Sequence, residues 1–317
     1  MKQIVFFIAV LLFVGCKKDA EGESITITSN ELKETVAYLS SNELQGRRTG
    51  SDGIDKAATY IEDQFNSYGV VPYFESFRSQ FAIDSLNAFN VVGYLEGKDE
   101  TLKNEFIIIG AHYDHIGFGR PVANDSIANG ANDNATGTAA VLAMAKYFAA
   151  KKNNKRSIMF ALFTAEEMGL LGSKHLAETL KAKNLDLYTL INFEMVGVPL
   201  KDLDYTAFVT GYELSNMGEK MNAYLNQENY FGASEVSKKY QLFRRSDNYP
   251  FYSEFKVPSH TISSCDLTNF DYYHHVDDEI EEMDFEFMAT LINQTIPAVE
   301  RMANSETKEI QMNANEG

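Results

Sequence analysis

The stretch Phe106–His115, FIIIGAHYDH, constrains this chain more than any other. Four apolar residues, three of them β-branched, run into Gly110 and then a His-x-Asp pair. An unbroken apolar run of this length predicts a strand buried on both faces. The polar residues fall just past its carboxyl end, where open α/β sheets build their sites. His112 and Asp114 are two apart and share a face in extended backbone. That spacing lets a carboxylate hold the outer nitrogen of a metal-ligating imidazole. An isolated His-x-Asp at a strand end is more often structural, so the rest of the chain decides.

Around this strand the pattern alternates. Thr28 and Glu31 form a capping box, and Leu32, Val36 and Leu39 follow at helical spacing, so a helix is expected over about 29–40. Residues 43–51 read as a Gly-containing loop. A second amphipathic helix carries Ala57, Tyr60, Ile61, Phe65 and Tyr68 and stops at Gly69. Strands are expected at 89–95, 157–163, 187–193, 206–210 and 257–263. Helices are expected at 136–150, 170–180, 217–225 and from Asp284 through Met302, the last kinked at Pro297. The loop 115–131 is long and rich in Gly, Asn and Asp, which marks it as functional. Strands alternating with helices predict an α/β fold, a three-layer α/β/α sandwich on a mixed, largely parallel sheet. One domain is expected over about 29–303, with a polar, frayed tail after it.

The first residues read as a targeting segment. Lys2 precedes the apolar run Ile4–Val14, which is too short to span a bilayer comfortably. The run ends at Gly15-Cys16, which resembles a bacterial lipobox with Phe13 in place of the usual Leu. Residues 1–15 are then a signal peptide, Cys16 a lipidated membrane anchor and 16–28 a tether, placing the protein in the bacterial cell envelope. The other cysteine, Cys265, makes no disulfide framework or thiolate site. Any metal would be held by nitrogen and oxygen. A net charge of −17 over 317 residues argues against a nucleic-acid partner.

Potential ligands stand at the ends of three central strands: His112, the pair Glu166-Glu167, and Glu194. Asp133 lies before a helix in GANDNATG, and His274-His275 lie in YYHHVDD. Singly, each has a plain reading: a turn residue, a first-turn acid favoured by the helix dipole, or a surface histidine. Together they are imidazoles and carboxylates converging on one sheet edge, a ligand set for two divalent metals sharing a carboxylate.

The pieces ELQGRRTGSDG (43–53), GAHYDH (110–115), GANDNATG (130–137), TAEEMG (164–169), NFEMVG (192–197), SDNYPF (246–251) and YHHVDD (273–278) occur in one order. In that order the chain resembles zinc-dependent aminopeptidases of the M28 peptidase family. The resemblance implies two Zn²⁺ per chain and peptide substrates. It implies that His112 and Glu194 bind one metal, Glu167 and His274 the other, and that Asp133 bridges them. The family's His-to-Asp spacing selects His274 over His275. Glu166 would be the general base acting on a metal-bridging water, Asp114 the carboxylate behind His112, and Tyr273 a phenolic donor to the oxyanion. Two positions depart from the pattern: Glu194, where many members have Asp, and Asn248, where related sequences often have His. His115 is expected to be a loop residue. The competing readings are a glutaminyl cyclase-like acyltransferase, a carboxypeptidase or dipeptidase with Arg244 or Arg245 as a carboxylate clamp, and a non-catalytic binding lipoprotein.

Overall fold

In the computed structural model, which describes residues 25–314, the apolar runs become strands and the amphipathic stretches helices. The residues expected to form the leader and the Cys16 anchor lie outside the described residues. The strands are β1 (Val71–Pro72), β2 (Arg78–Ile83), β3 (Leu86–Leu95), β4 (Glu105–His112), β5 (Gly117–Val122), β6 (Asp125–Ala128), β7 (Ser157–Phe163), β8 (Asp186–Phe193), β9 (Ala207–Val209), β10 (Phe231–Gly232) and β11 (Ser259–Ser263). The helices are α1 (Ser29–Leu39), α2 (Asp52–Tyr68), α3 (Thr136–Lys151), α4 (Leu171–Ala182), α5 (Met217–Leu225), α6 (Glu235–Lys239), α7 (Asn248–Phe255) and α8 (Phe285–Asn304).

The main sheet runs β1-β3-β7-β4-β8-β11-β9-β10, with β2 paired to β3. Its centre, β7-β4-β8-β11, is parallel, while β3 on one side and β9 on the other join antiparallel. Both faces of β4 and β7 are buried, which explains their apolar runs. Ile107, Ile109 and Ala111 face one core with α1, α2, α3 and α8, and Ile108 faces the other with α4 and α7. β7 divides likewise, Ile158, Phe160 and Leu162 against Met159, Ala161 and Phe163. Burying each of these isoleucines contributes about 1.5–3 kcal/mol relative to exposure. In β8 the register slips at Tyr188, where Phe106 pairs with Leu187 but Ile107 with Thr189, a bulge that resets which face is which.

Several local expectations hold and several change. The capping box at Thr28 and Glu31 is present, and α2 ends on Gly69 in the left-handed region at φ 79°. Residues Asn42–Arg47 form 3-10 turns rather than a loop, and the loop expected over 115–131 contains the hairpin β5–β6. The strand β2 was not evident in the sequence; its apolar residues are few, and pairing with β3 rather than burial holds it. Pro297 sits inside α8 without ending it. The tail expected to fray is docked through residue 314. Ile310 is buried and its N–H donates to the Tyr188 hydroxyl at 2.9 Å, while Met312 bridges Ser215. No helix among the described residues is long and apolar enough to cross a membrane.

Candidate metal centre

The parallel strands deliver their ends to one edge. His112 is the last residue of β4, Glu166 and Glu167 follow β7, and Glu194 follows β8. Asp133 sits in the turn before α3, and His274 in the segment between β11 and α8. This is the carboxyl-edge placement expected of an α/β sheet.

These side chains form two groups that share Asp133. In the first, Nε2 of His112 lies 3.0 Å from Oε1 of Glu194 and 3.4 Å from Oδ1 of Asp133. In the second, Nε2 of His274 lies 3.0 Å from Oε2 of Glu167 and 3.3 Å from Oδ2 of Asp133. Each oxygen of Asp133 thus faces a different group. The ligand atoms within each group lie within 4.8 Å of one another. Among the described residues, the ion-pair partners of Asp133, Glu167 and Glu194 are imidazoles; no lysine or arginine pairs with them. Carboxylates packed this way away from water call for a cation. The nitrogen and oxygen donors, with one shared carboxylate, fit a pair of divalent ions such as zinc.

The electrostatics carry the same signature. Burial opposes charge on His112, but Glu194 and Glu166 outweigh it and raise its pKa well above the ordinary value. Burial likewise opposes charge on His274, yet its hydrogen bonds to Asp133 and Glu167 lift it to about 10. Burial raises Glu167, and the bonds from His115 and His274 reverse this to well below the usual carboxylate range. Such imidazoles carry protons where a metal cation would neutralise the same carboxylates. Burial pushes Glu166 well above the ordinary glutamate value, and the other carboxylates add to it. Burial also lifts Asp247, beneath the site, to about 7.

A scaffold of buried polar bonds fixes the geometry. Arg47, fully buried, donates from its guanidinium to the carbonyls of Leu39, Tyr113, Asn129 and Gly130. It ties the turn after β4 to the turn before Asp133. Burial pulls its pKa down to about 10, which leaves it charged at neutral pH. The two oxygens of Asp278 accept the N–H groups of Asn132 and Asp133 at 2.8 and 3.0 Å. Asn134 donates to the Phe193 carbonyl and accepts from the N–H of Met195, locking the Asp133 turn to the Glu194 turn. Nothing in the sequence pointed to these roles except membership of Arg47 and Asp278 in the ordered motifs.

The expected residues take the following places. Asp114 stands behind His112, but the 3.1 Å contact to Nδ1 comes from its carbonyl, with its carboxylate 3.7 Å away. β4 ends at His112, so the shared-face geometry of an extended strand does not reach Asp114. Its carboxylate instead accepts from Thr49 Oγ1 and the Glu166 N–H. The ring of Tyr273 stacks on His274 with centroids 3.9 Å apart. A pocket beside the first group is lined by His112, Asp133, Glu166, Glu194 and Tyr273, with Met195, Phe208, Leu242 and Leu267 as apolar walls and Arg245 among its polar residues. Asn248 bonds Phe243, Ser259 and Thr261, and so serves the scaffold rather than the pocket. His275 pairs with Asp277 outside the groups. His115 is a loop residue, as expected, between β4 and β5, but it is fully buried, with Nδ1 2.9 Å from Glu167 Oε1. The signal available was its place in the doubled pattern His-x-Asp-His. A larger cleft lined by residues of 209–214 and 233–252 holds none of these ligands.

Comparison with known proteins agrees with this arrangement. Over 112 residues the chain is 38% identical to a probable zinc metalloprotease of Pyrenophora teres f. teres, covering 35% of this chain and 23% of that protein. It spans between about a quarter and two fifths of the length of the first such relatives. The fold matches BSAP, a zinc aminopeptidase from Bacillus subtilis, with TM-score 0.69 at 16% identity, over 88% of this chain and 96% of that one. It matches Porphyromonas gingivalis glutaminyl cyclase with TM-score 0.68 at 16% identity, over 87% and 98%. At these identities both are likenesses of fold. The model of peptidase family M28 matches residues 90–298, and the chain belongs to that family.

Proposed function

We propose that this protein is a two-metal exopeptidase that removes N-terminal residues from peptides. The observation that carries the reading is the pair of ligand groups sharing Asp133, with Glu166 at the pocket beside them. His112, Asp133 and Glu194 would hold one zinc, and Asp133, Glu167 and His274 the other. When bound, the zinc pair supplies Lewis acidity at the scissile carbonyl and lowers the pKa of the attacking water.

The chain's own residues do the rest. Glu166 accepts the proton of the attacking water and passes it to the leaving amine. Burial and neighbouring carboxylates hold the Tyr273 phenol protonated, as a hydrogen-bond donor to the developing oxyanion. The anionic pocket binds a free α-ammonium group, while Met195, Phe208, Leu242 and Leu267 receive an apolar first side chain. An internal amide brings no such cation, so cleavage is confined to the chain end.

The structural likeness to a cyclase makes N-terminal glutamine a substrate to include. Two ligand groups rather than one favour hydrolysis. Arg245 in the pocket lining makes dipeptides, with their nearby carboxylate, a further test set. A panel of aminoacyl chromogenic substrates, N-blocked counterparts, dipeptides and a Gln-peptide separates these activities. Chelation should abolish cleavage of free-amine substrates and zinc restore it; a chelator-insensitive hydrolase overturns the reading. Lipid anchorage through Cys16 in a bacterial envelope belongs to the same proposal. Loss of the protein from the membrane fraction in Cys16→Ser would support it, and unchanged fractionation would refute it.

A further inference from the structure

We infer that His115 is a third imidazole of the metal centre, the fourth protein donor at the Glu167–His274 position, so that the open coordination position belongs to His112, Asp133 and Glu194. This rests on the two-metal reading above and assigns unequal roles to the two positions.

The placement of His115 comes first. Its Nδ1 lies 2.9 Å from Oε1 of Glu167 and 3.7 Å from Oδ2 of Asp133. Its ring stands edge-on to that of His274, with centroids 5.6 Å apart. One donor atom from each of His115, Asp133, Glu167 and His274 falls in a single group. At the other position, among the described residues, only His112, Asp133 and Glu194 bring donor atoms this close together.

The ring's surroundings offer no other occupation for it. Its Nε2 is buried without a hydrogen-bond partner, and among the described residues its ion-pair contacts are the two carboxylates of Glu167 and Asp133. His260 shows what a scaffold histidine looks like in this fold. It is equally buried, and both nitrogens are engaged, with Thr210 O at 2.8 Å and Ser215 Oγ at 2.7 Å. Space for the His115 ring also depends on the backbone. Gly130 has φ +60°, and a Cβ there would come within 2.6 Å of the ring's Cγ and Cδ2. The Cβ would also come within 2.3 Å of the Asp133 carbonyl oxygen, so the glycine leaves room both for this turn and for the imidazole.

Donor number then sets function. Four protein donors close a tetrahedral zinc site, while three leave a position for water or substrate. The pocket agrees with that division. His112, Asp133 and Glu194 line it, whereas His115, Glu167 and His274 do not. The four-donor position holds its ion more tightly and orients Asp133, and the three-donor position faces substrate.

The test uses the full chain stripped of metal and titrated with zinc against a competing chelator, with X-ray absorption recorded at one equivalent. The wild-type chain is expected to bind two ions of unequal affinity, the tighter showing two imidazoles per zinc. His115→Ala and His115→Gln should weaken that ion at least about tenfold and change the looser one little. One imidazole per zinc in the wild-type chain at one equivalent overturns the assignment without relying on any variant. So do two ions bound with unchanged affinities in both variants. A wild-type chain that takes up no zinc instead overturns the two-metal reading itself.

Discussion

The hydroxyl of Ser246 donates to Oε2 of Glu194 across 2.7 Å, leaving Oε1 of that carboxylate 3.0 Å from Nε2 of His112. Asn192 donates in turn to Ser246 at 2.8 Å. This chain of bonds holds the long glutamate side chain in one orientation. Ser246→Ala frees the glutamate to rotate and should weaken zinc at the His112 position by about 10–100-fold. Zinc competition measures it, and an unchanged affinity would mean that Glu194 is oriented without the serine.

Glu166 touches neither ligand group as a donor, and Glu167 does. Glu166→Gln should lower kcat by about 10²–10⁴-fold with zinc content retained. Glu167→Ala should lose zinc first and activity as a result. Elemental analysis beside steady-state kinetics separates the two. Near-normal turnover in Glu166→Gln would remove it from the proton-transfer role.

Burial pulls His260 down to about 4, against an ordinary value of 6.5. Between those values the unfolded chain binds the proton and the folded chain does not. The protein should therefore keep this stability above pH 6.5 and lose it as pH falls toward 4, by at most about 3 kcal/mol. Urea midpoints at pH 7.5 and 5 should differ less in His260→Asn than in the wild-type chain. An equal difference would place the acid sensitivity elsewhere.

Arg47→Leu leaves four buried carbonyls without their donor. A loss of about 3 kcal/mol or more is expected. Zinc affinity should fall with it, because Tyr113 and Gly130 flank the donors His112 and Asp133. Thermal melts with and without zinc would show both effects. A variant as stable as the wild type would mean that water replaces the guanidinium.

The strands were legible from local patterns, and the candidate ligands from the ordered set of motifs rather than from any one of them. Ile107–Ile109 and Ile158–Phe163 are unbroken apolar runs, and His112 and Glu166 each stand three residues past the end of one. His274 was separable from His275 by its spacing from Asp278, whose carboxylate holds the Asp133 turn. His115 was not legible, because its burial depends on the return of β5–β6 and on a glycine fifteen residues away. Arg47 was not, because an arginine in a polar loop looks like surface until four carbonyls converge on it. The docked tail was missed because Ile310 and Met312 are isolated in a polar stretch, and the pocket beside Tyr188 exists only after the sheet forms.

The buried guanidinium of Arg47 also bears on how this catalytic unit divides. The stretch matched by the family model begins at residue 90 and contains every candidate metal donor among the described residues. The clasp that joins two of their turns lies outside it, contributed by the segment between α1 and α2. A fragment cut at the matched boundary would keep the chemistry's atoms and lose their spacing. Transplanting this centre to another scaffold, or swapping its loops with a relative's, would have to carry the amino-terminal helices along.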